Sequence, residues 1–232
     1  MSKSLVVFDC DGTLVDSQHS ICAAMIRAFE GEKLVAPERS AILAVVGLSL
    51  PYAIARPLPE AEADFHLHLS ESYKRAFQTL RRENAVSEPL YPGMAELVVA
   101  LDEAGWLLGV ATGKSDRGLA LCLAAHGIDR HFVTLQTADR HPSKPHPAML
   151  MQAMADAGAT PQTTVMIGDT HFDIDMGMAA GVRTIGVTTG TSVVTTNNDY
   201  YATGLPTGSN YNNFIYKSSA TPMNVTLSND SR

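Results

Sequence analysis

Residues 6–17 read VVFDCDGTLVDS: an apolar run, two aspartates one residue apart, then a glycine. If residues 5–8 form a buried strand, alternation puts Asp9 and Asp11 on one side of it and Cys10 on the other. Two carboxylates crowded into one small volume repel each other unless a cation sits between them or one holds a proton. The strand ends where charge is concentrated, and the rest of the chain must supply what compensates it.

Working outward, similar apolar runs ending in small or polar residues recur: WLLGVATGKS at 106–115, HFVTLQTAD at 131–139, TVMIGDTHFD at 164–173 and VRTIGVTTG at 182–190. Each reads as a buried strand. Between them lie helix-patterned segments at 94–105, 116–127 and 146–158, each closed by a glycine suited to a helix C-terminus. Strand and helix alternating in this way predict an α/β, Rossmann-like core with a mainly parallel sheet covered on both faces. In such sheets ligands bind beyond the carboxyl ends of the strands, which is where Asp9, Asp11, Thr112 and Asp169 fall.

Residues 17–90 break this rhythm. They are helix-patterned, lack strand signals and carry Pro57 inside the otherwise helical AIARPLPEA. The expected organisation is a catalytic core from residues 1–16 and 91–190, with a helical cap at 17–90 inserted over the carboxyl edge of the sheet. From residue 191 the composition changes, with 20 of the last 42 residues Asn, Thr or Ser and no glutamate. This 191–232 tail offers little apolar burial against its ordering entropy and is expected to be mobile or loosely packed.

Composition narrows the function. A chain of 232 residues, 45% hydrophobic and 18% charged, can bury a sizeable core. Its net charge of -7 argues against an electrostatic grip on nucleic acid or anionic membranes. No apolar run reaches the roughly 18 residues of a spanning helix, and the N-terminus shows no cleavage pattern of a secretory signal. A cytoplasmic protein, monomer or homodimer, is expected. Cys10, Cys22 and Cys122 have no CxxC spacing and read as reduced core residues.

Four separated features, in chain order, resemble the signatures of the haloacid dehalogenase superfamily, in its subfamily of capped aspartate-nucleophile phosphatases similar to phosphoglycolate phosphatases. They are DxDGT at 9–13, Thr112 in VATGKS, Lys144 in SKPHP, and GDTHFD at 168–173. The resemblance implies that Asp9 attacks phosphorus and becomes an aspartyl-phosphate, while Asp11 gives a proton to the leaving oxygen and then activates water. Gly12 lets the chain turn and leaves backbone N–H groups for phosphate. Thr112, the Gly113 amide and Lys144 complete the phosphate site, with Lys144 held in an extended segment by Pro145 and Pro147. With Asp11 protonated, Asp9, Asp169, Asp173 and a dianionic phosphate sum to about -5 against one lysine, so a divalent cation is needed. The resemblance makes it Mg²⁺, on the Asp9 carboxylate, the Asp11 backbone carbonyl and Asp169, with Asp173 in the inner or outer shell.

Other residues have blander readings. Asp16 and Ser17 are expected to cap the following helix, and Asp175 to sit in a helix first turn. The histidines lack zinc spacing, and only His171 lies within the acidic loop. Met151, Met154, Met176 and Met178 are expected to fill the core. Lys74, Arg75, Arg81 and Arg82 read most simply as a solvated helix face, with a substrate carboxylate as the alternative partner of a cap cation; substrate choice is expected in the segment 49–57, where Arg56 is a candidate contact, and in the basic helix near Lys74. The expected function is a Mg²⁺-dependent phosphatase of a small phosphorylated metabolite. A phosphomutase similar to β-phosphoglucomutase and a pyrophosphatase share the resemblance. A non-catalytic phosphometabolite-binding module is disfavoured, because a binder needs neither nucleophile nor acid.

Overall fold

The computed structural model describes residues 3–187 and, beyond them, the backbone of two short strands at 194–196 and 199–201. The expected looseness of the tail otherwise concerns residues outside those described. Strands β1 (Leu5–Phe8), β2 (Leu107–Thr112), β3 (Phe132–Thr137), β4 (Thr164–Gly168) and β5 (Arg183–Gly186) form a parallel sheet in the order β3-β2-β1-β4-β5. Successive connections run outward from β1 to one side and then cross to the other, so the chain reverses direction of winding at β1. That switch point is where an open α/β sheet leaves a crevice for ligand.

Helices α1 (Gln18–Gly31), α2 (Arg39–Leu43), α3 (Leu50–Ala55) and α4 (Ala63–Arg82) intervene between β1 and the rest, followed by α5 (Met94–Glu103), α6 (Asp116–Ala125), α7 (Ala148–Ala157) and α8 (His171–Ala179). Alternation along β1 decides which helices cover which face. Val6, Phe8 and Cys10 pack with Val98 and Leu101 of α5 and with Leu119 and Cys122 of α6. Leu5 and Val7 pack on the opposite face with Met149, Leu150 and Ala153 of α7 and Met176 of α8. Each fully buried aliphatic or aromatic side chain contributes roughly 1.5–3 kcal/mol, so the two layers hold β1 in place from both sides. The α6 start is capped by Ser115, whose Oγ accepts from the Gly118 amide at 3.1 Å. The α7 end is closed by Gly158 in the left-handed region, at φ 64°. Met154 and Met176 fill the core as expected, whereas Met151 and Met178 are exposed, on the outer sides of their helices.

The four helices α1–α4 have their own apolar centre, with Cys22, Met25 and Phe29 of α1 against Ile42, Ile54 and Leu69. The two chain segments that join them to the sheet run side by side. Asp16 N donates to Pro89 O at 2.8 Å, Tyr91 N donates to Leu14 O at 3.0 Å, and Ser20 Oγ exchanges hydrogen bonds with the Ser87 backbone. Beyond β5, strands β6 (Val194–Thr196) and β7 (Asp199–Tyr201) form an antiparallel ribbon, which the composition there did not signal. No helix among the described residues is long and apolar enough to cross a membrane.

Candidate active site

The ends of three adjacent strands place the acidic groups. Asp9 follows β1 directly, its backbone N–H donating to Ile167 O of β4 at 2.8 Å. Asp169 follows β4, and Thr112 closes β2 on the other side of β1. Gly12 turns the chain at φ 91°, and a Cβ at this position would lie 2.1 Å from Asp169 Oδ2. A side chain there is excluded twice, by the left-handed backbone and by the carboxylate that occupies the space. Thr13 Oγ1 donates to Asp169 Oδ1 at 3.2 Å.

The Asp9, Asp169 and Asp173 carboxylates each offer an oxygen within 4.8 Å of the others. Lys144 enters the same volume from the loop after β3, with its Nζ 2.6 Å from Asp173 Oδ1 and 2.8 Å from Asp9 Oδ1. Its side chain is fully buried. The expected extended segment around Lys144 is instead a turn, and the Lys144–Pro145 peptide is cis. Asp173 has a second duty: its Oδ2 accepts from both the amide and the hydroxyl of Thr170, the reciprocal cap that starts α8 at His171. Asp175 therefore lies beyond the first turn in which it was expected, and the His171 ring is tilted against that of Phe172, with 3.8 Å between ring centres.

Charge in this cluster does not balance. Three carboxylates face one ammonium, and both Asp9 oxygens are buried without a well-formed hydrogen bond, Lys144 Nζ meeting Oδ1 as an ion pair. Burial, with the Asp173 and Asp11 charges adding to it, pushes the Asp9 carboxyl up to about 7 against the pull of Lys144. Burial and the neighbouring Asp9 and Asp173 likewise raise Asp169 well above the usual carboxylate range. Burial alone would disfavour the Lys144 ammonium, but Asp173 and Asp9 together hold its pKa above the ordinary value. An all-oxygen donor set with uncompensated negative charge and orphaned carboxylate oxygens fits a hard divalent cation.

Asp11 stands apart from this cluster. It lines a cavity of about 910 Å³ between the sheet's carboxyl edge and α1–α4, together with Gly113. Its Oδ1 accepts from Ser17 Oγ at 2.5 Å and from Lys114 Nζ at 2.7 Å. Ser17 thus turns its hydroxyl to Asp11 and makes no side-chain cap on α1, while Asp16 Oδ1 takes the Gln18 amide at 3.3 Å. Gly113 lies under the backbone of the helical insert: a Cβ there would meet Leu48 O at 2.4 Å. Nearby, Ser49 N donates to Ser143 Oγ, beside Lys144. Arg56 is exposed and is not among the residues lining the cavity. The cavity cations come instead from α4, as Lys74, Arg81 and Arg82, and from the core, as Lys114 and Arg117. Lys114, Glu88 and the Asp11-directed Ser17 were missed in the sequence. The signal for Lys114 was its place two residues beyond the Thr112 strand end.

A family model described as haloacid dehalogenase-like hydrolase matches residues 6–187. "Probable phosphatase IndB" of Dickeya dadantii is 37% identical over 193 residues, covering 81% of this chain and 82% of that protein. A phosphoglycolate phosphatase of Haemophilus influenzae is 33% identical, over 80% of this chain and 86% of its own. Among solved structures, a haloacid dehalogenase-like hydrolase from Bacteroides fragilis superposes with a TM-score of 0.80 over 93% of this chain and 98% of that one, at 21% identity, and bears on the fold alone.

Proposed function

Because this chain belongs to the haloacid dehalogenase-like hydrolases, we propose that it is a Mg²⁺-dependent phosphatase that hydrolyses a small phosphorylated metabolite through an aspartyl-phosphate on Asp9. The observation that carries this reading is the pairing of a carboxylate cluster, with buried oxygens lacking donors, with a second, cavity-facing carboxylate at Asp11. Residues 17–90 act as the cap, and residues 1–16 and 91–190 as the core that holds the phosphoryl chemistry.

In this reading an Asp9 carboxylate oxygen attacks phosphorus as the ester P–O bond breaks, and the leaving oxygen takes its proton from Asp11. Asp11, now ionised, removes a proton from the water that attacks the phosphoenzyme, and the bond to Asp9 breaks to release inorganic phosphate. Thr112, the Gly113 amide, the turn at Gly12 and Lys144 bind the phosphoryl oxygens. Asp9, Asp169 and the Asp11 carbonyl would hold Mg²⁺. Asp173, both of whose oxygens already accept hydrogen bonds, belongs in the outer shell, anchoring Lys144. When bound, the cation supplies positive charge that offsets repulsion between the phosphoryl oxygens and the Asp9 carboxylate.

The strand-end groups address the phosphoryl group alone, so selection of the remaining molecule falls to the cavity under the cap. Its cations, Lys74, Arg82 and Arg117, support a phosphoglycolate-like ester that carries a further negative group. The test is phosphate release from a panel of metabolite esters with Mg²⁺, including pyrophosphate and hexose phosphates. Hydrolysis of anionic monoesters in preference to the rest is expected. Selective pyrophosphate cleavage, or phosphoryl transfer retained on a sugar, would replace this substrate class, and no Asp9-dependent turnover of any ester would overturn the enzyme reading.

A further inference from the structure

Among the buried charged groups, one has no part in the chemistry described above. Lys114 lies where the core meets α4 and the two chain segments that join α1–α4 to the sheet, here called the hinge, with its side chain 9% exposed. Its Nζ donates to Asp11 Oδ1 at 2.7 Å and to Glu88 Oε1 at 2.8 Å. Glu88, also buried, uses its other oxygen to accept from Arg81 of α4 at 2.9 Å. Glu88 sits on the return segment from the cap, one residue before the Pro89 that pairs with Asp16, and its carbonyl accepts from His126 at 2.7 Å. The Phe77 ring of α4 covers Lys114 from the cap side, with Nζ 5.8 Å from the ring centre.

An ammonium in this position does not reach the Asp9 cluster as Lys144 does. It is held between a hinge carboxylate and the carboxylate assigned above as proton donor and acceptor. Both contacts to Asp11, from Ser17 and from Lys114, fall on Oδ1. Oδ1 is thereby held in place, and Oδ2, which carries neither contact, is the oxygen left to exchange a proton with the cavity.

We propose that Lys114 is the positioning residue for Asp11, held in register by Glu88 and, through Arg81, by the cap helix α4. This rests on the phosphatase reading above. Lys114 itself moves no proton and touches no phosphoryl oxygen; it sets the direction in which Asp11 presents Oδ2. The bland alternative is a buried ion pair that only stabilises the hinge, and a second alternative is a direct grip on an anionic substrate group.

The leaving group separates these. An alkoxide needs Asp11 to protonate it, whereas 2,4-dinitrophenolate leaves unaided. Rapid-mixing measurements on wild type, Lys114→Met, Glu88→Gln, Asp11→Asn and Asp11→Asn/Lys114→Met would compare phosphoenzyme formation from 2,4-dinitrophenyl phosphate and from glycerol 2-phosphate. An Asp9-dependent burst in wild type establishes the underlying reading, and its absence overturns that reading and this inference with it. Given the burst, Lys114→Met is expected to slow phosphorylation by the glycerol ester by ~100-fold, the scale of a lost general acid, with KM unchanged and a far smaller effect on the dinitrophenyl burst. Glu88→Gln should show the same split at smaller size, and adding Lys114→Met to Asp11→Asn should cost nothing further. Equal losses on both esters would overturn the proposal in favour of a structural pair. A raised KM with kcat kept would assign Lys114 to substrate instead. Should Lys114→Met not fold, the Glu88→Gln split decides alone, and its absence counts against the proposal.

Discussion

Replacing Lys144 by methionine keeps most of the side-chain volume but removes the one ammonium that the described residues bring into the Asp9–Asp169–Asp173 cluster. The Asp9 and Asp173 carboxylates that it pairs are at most 1% exposed, so they would be left buried and unpaired. Removing one partner of such a pair costs about 3–5 kcal/mol. For a domain of this size each kcal/mol moves Tm by about 2–4 °C, giving a fall of roughly 6–20 °C. The pH dependence has a definite sign. Asp9 is raised to about 7 in the folded protein, whereas an unfolded aspartate titrates near ~3.9. A raised carboxyl contributes stability that is full below the unfolded value and is lost as pH rises through the folded one. Without Lys144 the folded value moves higher still. The gap between the proteins should therefore be smaller at pH 5, where Asp9 is protonated in both, and should widen toward pH 8. Thermal melting by circular dichroism in EDTA at the two pH values reads this directly. Equal melting temperatures, or a gap that narrows as pH rises, would refute the electrostatic account of the cluster.

Other outcomes follow from single contacts. Gly12→Ala drives a Cβ into the Asp169 carboxylate, and kcat for aryl phosphate hydrolysis should fall by about 100-fold or more, the cost of an ångström-scale misplacement; a loss of only a few-fold would mean Asp169 can yield without penalty. Adding Mg²⁺ to chelated wild type should raise Tm more at pH 8 than at pH 5, because a ligating Asp9 must first lose the proton that its burial favours. A uniform increase across pH would place the ion elsewhere. Arg56→Ala should leave kcat/KM within ~2-fold on every ester, the scale of an ordinary surface substitution, since Arg56 is exposed and outside the cavity lining. A selective loss on one anionic ester would restore it to the substrate site.

What the sequence made legible was whatever repeats along the chain. Strand and helix periods gave the five parallel strands and the glycine-closed helices between them, and the strand ends brought Asp9, Thr112 and Asp169 to one edge. Contacts between distant segments were not legible in this way. Ser17 has the sequence position of a helix cap, yet its hydroxyl donates to Asp11, a partner that spacing along the chain does not mark. Lys114 looks like a polar residue after a strand, and only the return of the chain at Glu88, 26 residues earlier, makes it a buried ion pair. The placement of Arg56 outside the cavity lining was not legible either: a cationic residue in a cap segment carries no mark of which way α3 will face, with Ala53 and Ile54 on its buried side. Asp173 was legible as an acidic neighbour of the cluster, but its part in starting α8 depends on Thr170.

The central claim is that Asp9 is phosphorylated and that Asp11 is needed to release the phosphate. The most direct measurement is intact-mass and peptide-fragmentation analysis of the Asp11→Asn variant, acid-quenched after exposure to 2,4-dinitrophenyl phosphate and Mg²⁺, with Asp9→Asn/Asp11→Asn alongside. The account predicts one added phosphoryl group on Asp9, labile to hydroxylamine and absent from the double variant. A phosphoryl group on any other residue, or none while phosphate is still released, would contradict it.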